Sequence, residues 1–199
     1  MRENATKQKI FETSLDLFSK YGYNSVSIRD IALAVKIKPA SIYYHFESKS
    51  AILQEIYNFY KTNYNSVFSP IVADMPNLVL LPMDAMIEQM LFHTDAEKQV
   101  YQNKAFLILS TQASVGDETA NNLIQKTIFD EPAKLFKEVF AILEQNKRIK
   151  PFDTDLFITL YCGLGHSLQM RTVLQFSVTW EEWVLLVKKM FFNLVEVID

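Results

Sequence analysis

Residues 27–49 place the tightest constraint on how this chain can fold, because they predict two short helices joined by a tight turn. Ser27 suits the N-cap of the first helix. Apolar residues then recur at spacings of three and four, at Ile28, Ile31, Ala32 and Val35. The turn falls at 36–38, and Pro39 suits the first turn of a second helix, where a missing N–H costs nothing. Two such helices are typical of a helix-turn-helix unit.

The second helix carries aromatic side chains on the side opposite its apolar positions. Ile42 and Phe46 are four residues apart and are expected to face inward. Tyr43, Tyr44 and His45 are then expected to face solvent, and phenols, imidazoles and lysines are groups that hydrogen-bond phosphates. The alternative, two short helices in an ordinary core, does not explain these aromatic residues on the surface. The segment therefore predicts contact with double-stranded DNA.

The stretch from Ile10 to Leu53 resembles the DNA-binding domain of the TetR family of bacterial transcriptional regulators. The matching positions are Ile10-Phe11, Leu17-Phe18, Tyr21-Gly22-Tyr23, Ser27 to Ala32, Ile37, Ser41 to Phe46, Lys49 and Ile52-Leu53. Apolar, capping and aromatic positions coincide together. The resemblance implies a dimeric repressor that binds a palindromic operator and releases it when a small molecule enters the C-terminal domain.

Carried over position by position, the resemblance implies a set of DNA contacts. Arg29 can reach a base edge or a phosphate, and Ala40 and Ser41 would lie at base edges. It implies contacts to the sugar-phosphate backbone from Ser27, Tyr43, Tyr44, His45 and Lys49. Lys38 is added as a DNA-contact candidate because of its positive charge.

Two positions depart from the family pattern. Lys36 stands where the family usually has glycine, and a non-glycine residue in a left-handed conformation costs roughly 1 kcal/mol. Lys38 stands where the family often has Ser or Thr, and its side chain cannot accept the capping hydrogen bond. Both departures add positive charge close to the expected phosphates.

Composition supports an all-α protein with a basic N-terminal part. Apolar residues recur every three or four positions almost throughout, and only four of the 199 residues are glycine. Residues 1–62 hold nine Lys/Arg against six Asp/Glu, whereas residues 63–199 hold eleven against seventeen. A basic module on an acidic body suits a protein that touches DNA with one end.

The chain divides into a helix-turn-helix domain at 1–48, a connecting helix at 49–69, and a ligand-binding and dimerisation domain at 70–199. Pro70, Pro76 and Pro82 mark an irregular connection at the boundary. Further helices are expected at about 83–93, 97–113, 117–128, 131–147, 154–175 and 180–197. Thr179 and Glu182 form a capping-box pattern that opens the last helix. The predicted architecture is a three-helix DNA-binding domain followed by a larger helical domain.

Several function classes are disfavoured by what the sequence lacks. Cys162 is the only cysteine, which leaves no internal disulfide and fits a reducing compartment. The N-terminus lacks an apolar leader, and the longest uncharged stretch, 156–170, is shorter than the roughly 20 residues of a membrane span. Cys162 and His166 lack a third metal ligand, and no catalytic motif occurs. We therefore expect a cytoplasmic protein without enzyme activity, cofactor, metal or membrane partner.

The last two helices are apolar enough to predict a symmetric homodimer interface, as the family resemblance also implies. The expected interface residues are Phe157, Leu160, Leu164, Leu168, Trp183, Val187, Met190 and Leu194. Gly163 and Gly165 favour the same interpretation, because a helix keeps glycine where another backbone passes close by. The alternative is a monomer core that packs these faces internally.

A pocket for an apolar small-molecule effector is expected in the middle of the C-terminal domain. Met and Phe side chains with a few polar anchors suit an adaptable pocket. The candidate lining residues are Met86, Gln89, Met90, His93, Phe106, Phe140, His166 and Met170. Rival interpretations remain: an activator or adaptor on the same fold, and a helical small-molecule carrier or enzyme that does not bind DNA.

Overall fold

The structure is a computed structural model that describes residues 2–91, 96–173 and 179–198, without the side chains of 2–3, 67–68, 96–99, 168–173 and 180. Its helices are α1 (Arg2–Tyr21), α2 (Ile28–Val35), α3 (Pro39–His45), α4 (Lys49–Ala73), α5 (Met75–Leu78), α6 (Met83–Met90), α7 (Ala96–Ser114), α8 (Glu118–Ile124), α9 (Glu131–Gln145), α10 (Thr154–Val173) and α11 (Trp180–Leu194). The fold is all-α, and one isolated β-bridge joins Ile149 to Val197 in the described part. None of the described helices is long and apolar enough to cross a membrane.

The chain forms two compact units, and neither is continuous in sequence. Unit 1 comprises residues 1–63 and 95–123, and unit 2 comprises residues 64–94 and 124–199. The compact units thus differ from the linear division expected from sequence, because α7 packs against α1 and joins the N-terminal part. Periodicity marks an apolar face on a helix but does not name the helix that covers it.

Unit 1 is built on an apolar core beneath α2 and α3. Its large, fully buried side chains include Ile10, Leu15, Phe18, Ile31, Ile42, Ile52, Ile56, Tyr60 and Phe106. On the surface, the Lys104 ammonium lies 2.6 Å from the Asp16 carboxylate and joins α7 to α1. The Tyr57 hydroxyl donates to Asp117 Oδ2 over 2.9 Å, and burial together with this bond raises the pKa of Tyr57. The first contact joins α7 to α1, and the second joins α4 to the residue that precedes α8.

Unit 2 has an aromatic core shared by α9, α10 and α11. Phe140 lies at its centre, with ring centroids 5.0 Å from Phe157 and 6.1 Å from Phe191. A π-helical turn (Gln125–Asp130) precedes α9 where the sequence had predicted helix only to 128 and a new start at 131. The wider turn aligns side chains five residues apart, since Gln125 donates to Asp130 over 3.0 Å.

Helix α4 is longer than the sequence predicted. The expected connecting helix ended at 69, whereas α4 continues through Pro70 to Ala73. A proline removes one backbone donor from a helix, and its own carbonyl remains available. Here the Pro70 carbonyl accepts from Asp74 N–H over 3.1 Å, so the helix ends after the proline and not before it.

Candidate nucleic-acid interface

The start of α2 is fixed by a reciprocal capping box. Ser27 Oγ accepts from Asp30 N–H over 3.2 Å, while the Asp30 carboxylate accepts from Ser27 N–H over 2.8 Å and from Ser27 Oγ over 2.6 Å. These hydrogen bonds, the hydroxyl first, lower the pKa of Asp30. Since the Ser27 hydroxyl proton is already donated to Asp30, the predicted phosphate contact of Ser27 would compete with the cap. Arg29 lies exposed in the turn that this box holds.

The turn between α2 and α3 keeps a left-handed residue without glycine. Lys36 has φ 65° and ψ 45°, which is the conformation that costs a side-chain-bearing residue roughly 1 kcal/mol. Ile37 N–H donates to Ala32 O over 2.9 Å and closes the end of α2 in a Schellman-type arrangement. The lysine therefore adopts the geometry for which the family uses glycine.

Helix α3 buries one face in unit 1 and exposes the opposite face to solvent. Ile42 is fully buried and Phe46 is 5% exposed, whereas Tyr43 is 55% and Tyr44 73% exposed. The His45 ring is half-buried and stands edge-on to Tyr44, with 5.1 Å between centroids. Both tyrosines thus lie where the sequence placed them, and His45 is partly withdrawn.

The start of α3 presents small and basic residues to solvent. Lys38 and Ala40 are exposed, and Ser41 is half-buried. Lys38 occupies the N-cap position and makes no side-chain capping bond, as expected from its lack of an acceptor. Its ammonium is therefore not used to begin the helix.

The Lys49 ammonium points toward the protein and not into solvent. Its ammonium donates to Tyr23 O and to Val26 O, each over 3.0 Å. It also stands 4.2 Å from the centroid of the Tyr23 ring, which meets Phe18 edge-on at 5.2 Å. The sequence predicted a phosphate contact here, and the ammonium is instead turned toward the protein.

Leu33 is a surface feature that the sequence reasoning missed. It is 79% exposed and lies four residues after Arg29, so both side chains occupy the outward face of α2. The signal was present: Leu33 falls outside the apolar repeat that buries Ile31, Ala32 and Val35. An apolar residue in that position adds an uncharged patch beside the arginine.

A sequence profile of the bacterial regulatory proteins of the tetR family matches residues 10–56. The biofilm operon icaADBC HTH-type negative transcriptional regulator IcaR of Staphylococcus aureus (strain Newman) is 47% identical over 49 residues, which are 25% of this chain and 26% of IcaR. The chain thus matches about a quarter of the length of such curated relatives. Over residues 10–56, this chain is similar to the DNA-binding domain of the TetR family.

Solved structures extend the likeness to the whole fold. AibR, solved in complex with isovaleryl coenzyme A and operator DNA, is 18% identical with a TM-score of 0.62, covering 94% of this chain and 97% of AibR. The ketosteroid transcriptional regulator KstR2 of Mycobacterium tuberculosis is 13% identical with a TM-score of 0.66, covering 96% of this chain and 95% of KstR2. At these identities the likeness establishes the fold alone.

The predicted pocket residues are only partly brought together. Met86, Met90 and Phe140 line a small cavity of about 10 Å³ in unit 2. Its other lining residues are Ile87, Leu91, Phe136, Phe157, Val187 and Phe191, so the wall is entirely apolar. A volume of this size holds at most about one water molecule, so an effector could enter only if these side chains moved apart.

The other five predicted pocket residues do not line this cavity in the described part of the chain. Gln89 is exposed on the outer face of α6, so its assignment as a polar anchor is wrong. Phe106 is wrong as well, because it lies in the core of unit 1, stacked on Tyr60 with 6.3 Å between centroids. His166 is half-buried and does not line the cavity. His93 and the side chain of Met170 lie outside the described residues.

The predicted dimer face needs correction on both helices. Phe157, Trp183 and Val187 are buried within unit 2, because its core uses the inner faces of α10 and α11. Leu160 is 41% exposed, while Leu164, Met190 and Leu194 are half-buried, and the side chain of Leu168 lies outside the described residues. The exposed apolar residues of the two helices are Leu156, Leu160, Leu185, Leu186 and Phe192. Periodicity marks both helices as apolar but does not indicate which side of each helix faces outward.

Proposed function

We propose that this protein is a ligand-released transcriptional repressor that binds a palindromic operator as a homodimer. The observation that carries the proposal is the exposure of Tyr43 and Tyr44 on a helix held from behind by Ile42 and Phe46. A helix that enters the major groove must be backed rigidly and open on its outer side. The family of the N-terminal domain supports DNA binding, and the similarity to IcaR, a negative regulator, supports repression.

Base and backbone contacts are assigned to different parts of this surface. Ala40 and Ser41 would face base edges at the small-residue start of α3, with Arg29 reaching from α2. The sugar-phosphate backbone of the DNA would be contacted by residues that flank these three: Ser27, Lys38, Tyr43, Tyr44 and His45. The sequence preference would therefore depend mainly on Ser41 and Arg29.

The homodimer would form through the outward face of α10 and α11. Exposed leucines and Phe192 line that face, and an interface of this kind is usually apolar at its centre. Gly163 lies within α10, and a Cβ built there would meet nothing within 4 Å in its own chain. A glycine inside a helix costs up to about 1 kcal/mol relative to Ala, so a second chain passing close by would explain its presence.

The effector would be an apolar molecule that opens the cavity in unit 2. Nine apolar side chains line the cavity and offer an entering molecule no polar anchor. Met86 and Met90 can re-pack easily because thioether side chains are flexible. The Lys188 ammonium spans α11 to α6, 2.6 Å from Glu88 and 3.1 Å from Asp84, and would have to yield if those helices separated. A differential affinity of about 1–3 kcal/mol would loosen the operator 5–150-fold.

Selection of duplexes from a random-sequence library by the purified protein tests the proposal. The expected product is an inverted repeat bound by two chains, with half-sites about 34–36 Å apart. We further propose a cytoplasmic location and no catalytic activity, since a repressor needs neither secretion nor turnover. Failure to bind any duplex at low salt, together with turnover or tight retention of a metabolite, would favour the carrier or enzyme alternative.

A further inference from the structure

The start of α4 suggests a role for Lys49 that differs from a contact with DNA. We propose that Lys49 is a positioning residue whose ammonium clamps the connector between α1 and α2, residues 22–27, onto the start of α4. The inference rests on the proposed function, since the element that it positions is the DNA-reading surface. It predicts that Lys49 supports DNA affinity without neutralising a phosphate.

The ammonium is committed on three sides to the connector. Tyr23 O and Val26 O each accept from it over 3.0 Å, and the Tyr23 ring presents its face 4.2 Å away. Ammonium groups have three donors and are attracted to aromatic faces, so two donors and the charge are already engaged. If Lys49 turned to a phosphate, both carbonyls would lose this charged donor, and Tyr23 O would keep only the long bond from Val26 N–H.

The connector itself needs an external clamp. Gly22 ends α1 with φ +83°, and the only turn bond recorded within 23–27 is the long 3.4 Å contact from Val26 N–H to Tyr23 O. Asn24 and Ser25 are exposed and contribute no buried anchor. Lys49, 26 residues further along the chain from Tyr23, supplies the missing hydrogen bonds.

The clamp has a fixed base within unit 1. The Tyr23 ring rests against Phe18 in the core, and burial first and the Asp117 carboxylate second raise the pKa of Tyr23. The phenol therefore stays neutral and keeps its ring face available to the ammonium. The Asp117 carboxylate accepts hydrogen bonds from the Tyr57 hydroxyl over 2.9 Å and from the Ala120 N–H over 3.0 Å.

The connector leads directly into the DNA-reading surface. Val26, one of the clamped residues, precedes Ser27, the N-cap whose box sets the direction of α2. Arg29 follows in the first turn of that helix, and groups that read DNA have to be held within about 0.5 Å of their working position. A slack connector would therefore misplace Arg29 without altering the charge that the protein brings to DNA.

The salt dependence of DNA binding separates a positioning residue from a phosphate ligand. Lys49→Met and the matched control Lys38→Met each remove one cation, and Lys38 is exposed with no capping bond. Both variants and the wild type are titrated in full-length form, at several salt concentrations, against a duplex that the wild type selects from a random library. Thermal unfolding without DNA is measured on all three proteins.

We expect Lys49→Met to bind about tenfold more weakly, because a connector without its clamp misplaces Arg29, with an unchanged slope of log affinity against log salt. Lys38→Met should lower that slope by about one, which is the mark of a lost phosphate contact. The melting temperature should fall for Lys49→Met and stay near the wild-type value for Lys38→Met. Tyr23→Leu, which keeps the ammonium but removes the ring, should weaken binding in the same salt-independent way.

Two results would overturn the positioning role while the proposed function stands. One is a slope that falls for Lys49→Met as it does for Lys38→Met, which would make Lys49 a phosphate ligand. The other is wild-type affinity in the folded Lys49→Met protein, which would make the clamp merely structural. If the wild type selects no duplex at all, the proposed function fails first and the positioning role falls with it.

Discussion

The helix-turn-helix of unit 1 and the α10–α11 pair of unit 2 are both helix pairs, yet they differ in how much their sequences specify. In α2 the buried residues Ile31, Ala32 and Val35 share one face, a capping box begins the helix, and Pro39 begins α3. In α10 and α11 apolar residues lie on all sides, with Phe157 buried and its neighbour Leu156 exposed. A pair with one apolar face can pack in one way, whereas a pair with two can bury either face inside its own chain.

The largest expected effect distinguishes the buried face of α10 from its exposed face. Phe157→Ala should destabilise the folded chain by about 3–5 kcal/mol, because it empties a site between Phe136, Phe140 and Phe191. Leu160→Ala, on the outward face, should leave chain stability at low concentration almost unchanged and weaken self-association instead. Denaturant unfolding measures the stability of the folded chain, and sedimentation measures its self-association. A Phe157→Ala protein of normal stability that no longer dimerises would return Phe157 to the interface.

The next effect concerns the exposed face of α3. Tyr43→Phe should weaken binding to every duplex by about 1.5–3 kcal/mol if its hydroxyl donates to a phosphate, because that is the usual value of a hydrogen bond to a charged group. Tyr21→Phe is the matched control, since Tyr21 is equally exposed but lies at the end of α1. Fluorescence anisotropy on selected and random duplexes provides the measurement. Equal affinities for Tyr43→Phe and wild type would remove the phosphate role of this residue.

A smaller effect is expected in the turn. Lys36→Gly relieves the left-handed strain and should raise the unfolding free energy by at most about 1 kcal/mol. DNA affinity at low salt should fall at the same time, because one cation close to the duplex is lost. Calorimetry on this variant should show the higher stability, and fluorescence anisotropy on the same preparation should show the lower DNA affinity. A melting temperature below that of the wild type would mean that the lysine stabilises the turn by another contact.

The smallest effect is a pH dependence at the start of α2. The Ser27 hydrogen bonds lower the pKa of Asp30 in the folded state, so its contribution to stability is complete above the unfolded value of about 3.9. The contribution is lost as pH falls through the lowered folded pKa. The stability difference between wild type and Asp30→Ala should therefore shrink toward acid pH in thermal unfolding. A difference that stays constant from neutral to acid pH would exclude the carboxylate as its cause.

Local chemistry explains what could be predicted from the sequence in both units. Pro39 begins α3, Ser27 caps α2, and Thr179 and Glu182 form the predicted capping box of α11. Each of these involves groups within four residues of one another, so their geometry follows from the backbone of a single turn. The all-α class was predicted correctly for the same reason.

Contacts between distant residues explain what was missed. Lys49 was assigned to DNA because its family position implied it, and its carbonyl partners at Tyr23 and Val26 carry no sequence signal. Phe106 was placed in the pocket because an apolar side chain does not indicate which core it joins. Gln89 was chosen for its polarity, although α6 turns that position to solvent.

The sequence by itself determined that this chain is helical, where its helices are capped, and that α3 shows two tyrosines to solvent. Only the tertiary structure decided that α7 packs with the N-terminal helices, that α10 and α11 bury Phe157 and expose Leu160, and that Lys49 clamps a connector. The physical reason is the distance in sequence between the residues that interact. Caps and periodicity act within a turn or two of backbone, whereas the choice between two apolar faces, or between two partners for an ammonium, depends on chain segments that fold against it from far away in sequence.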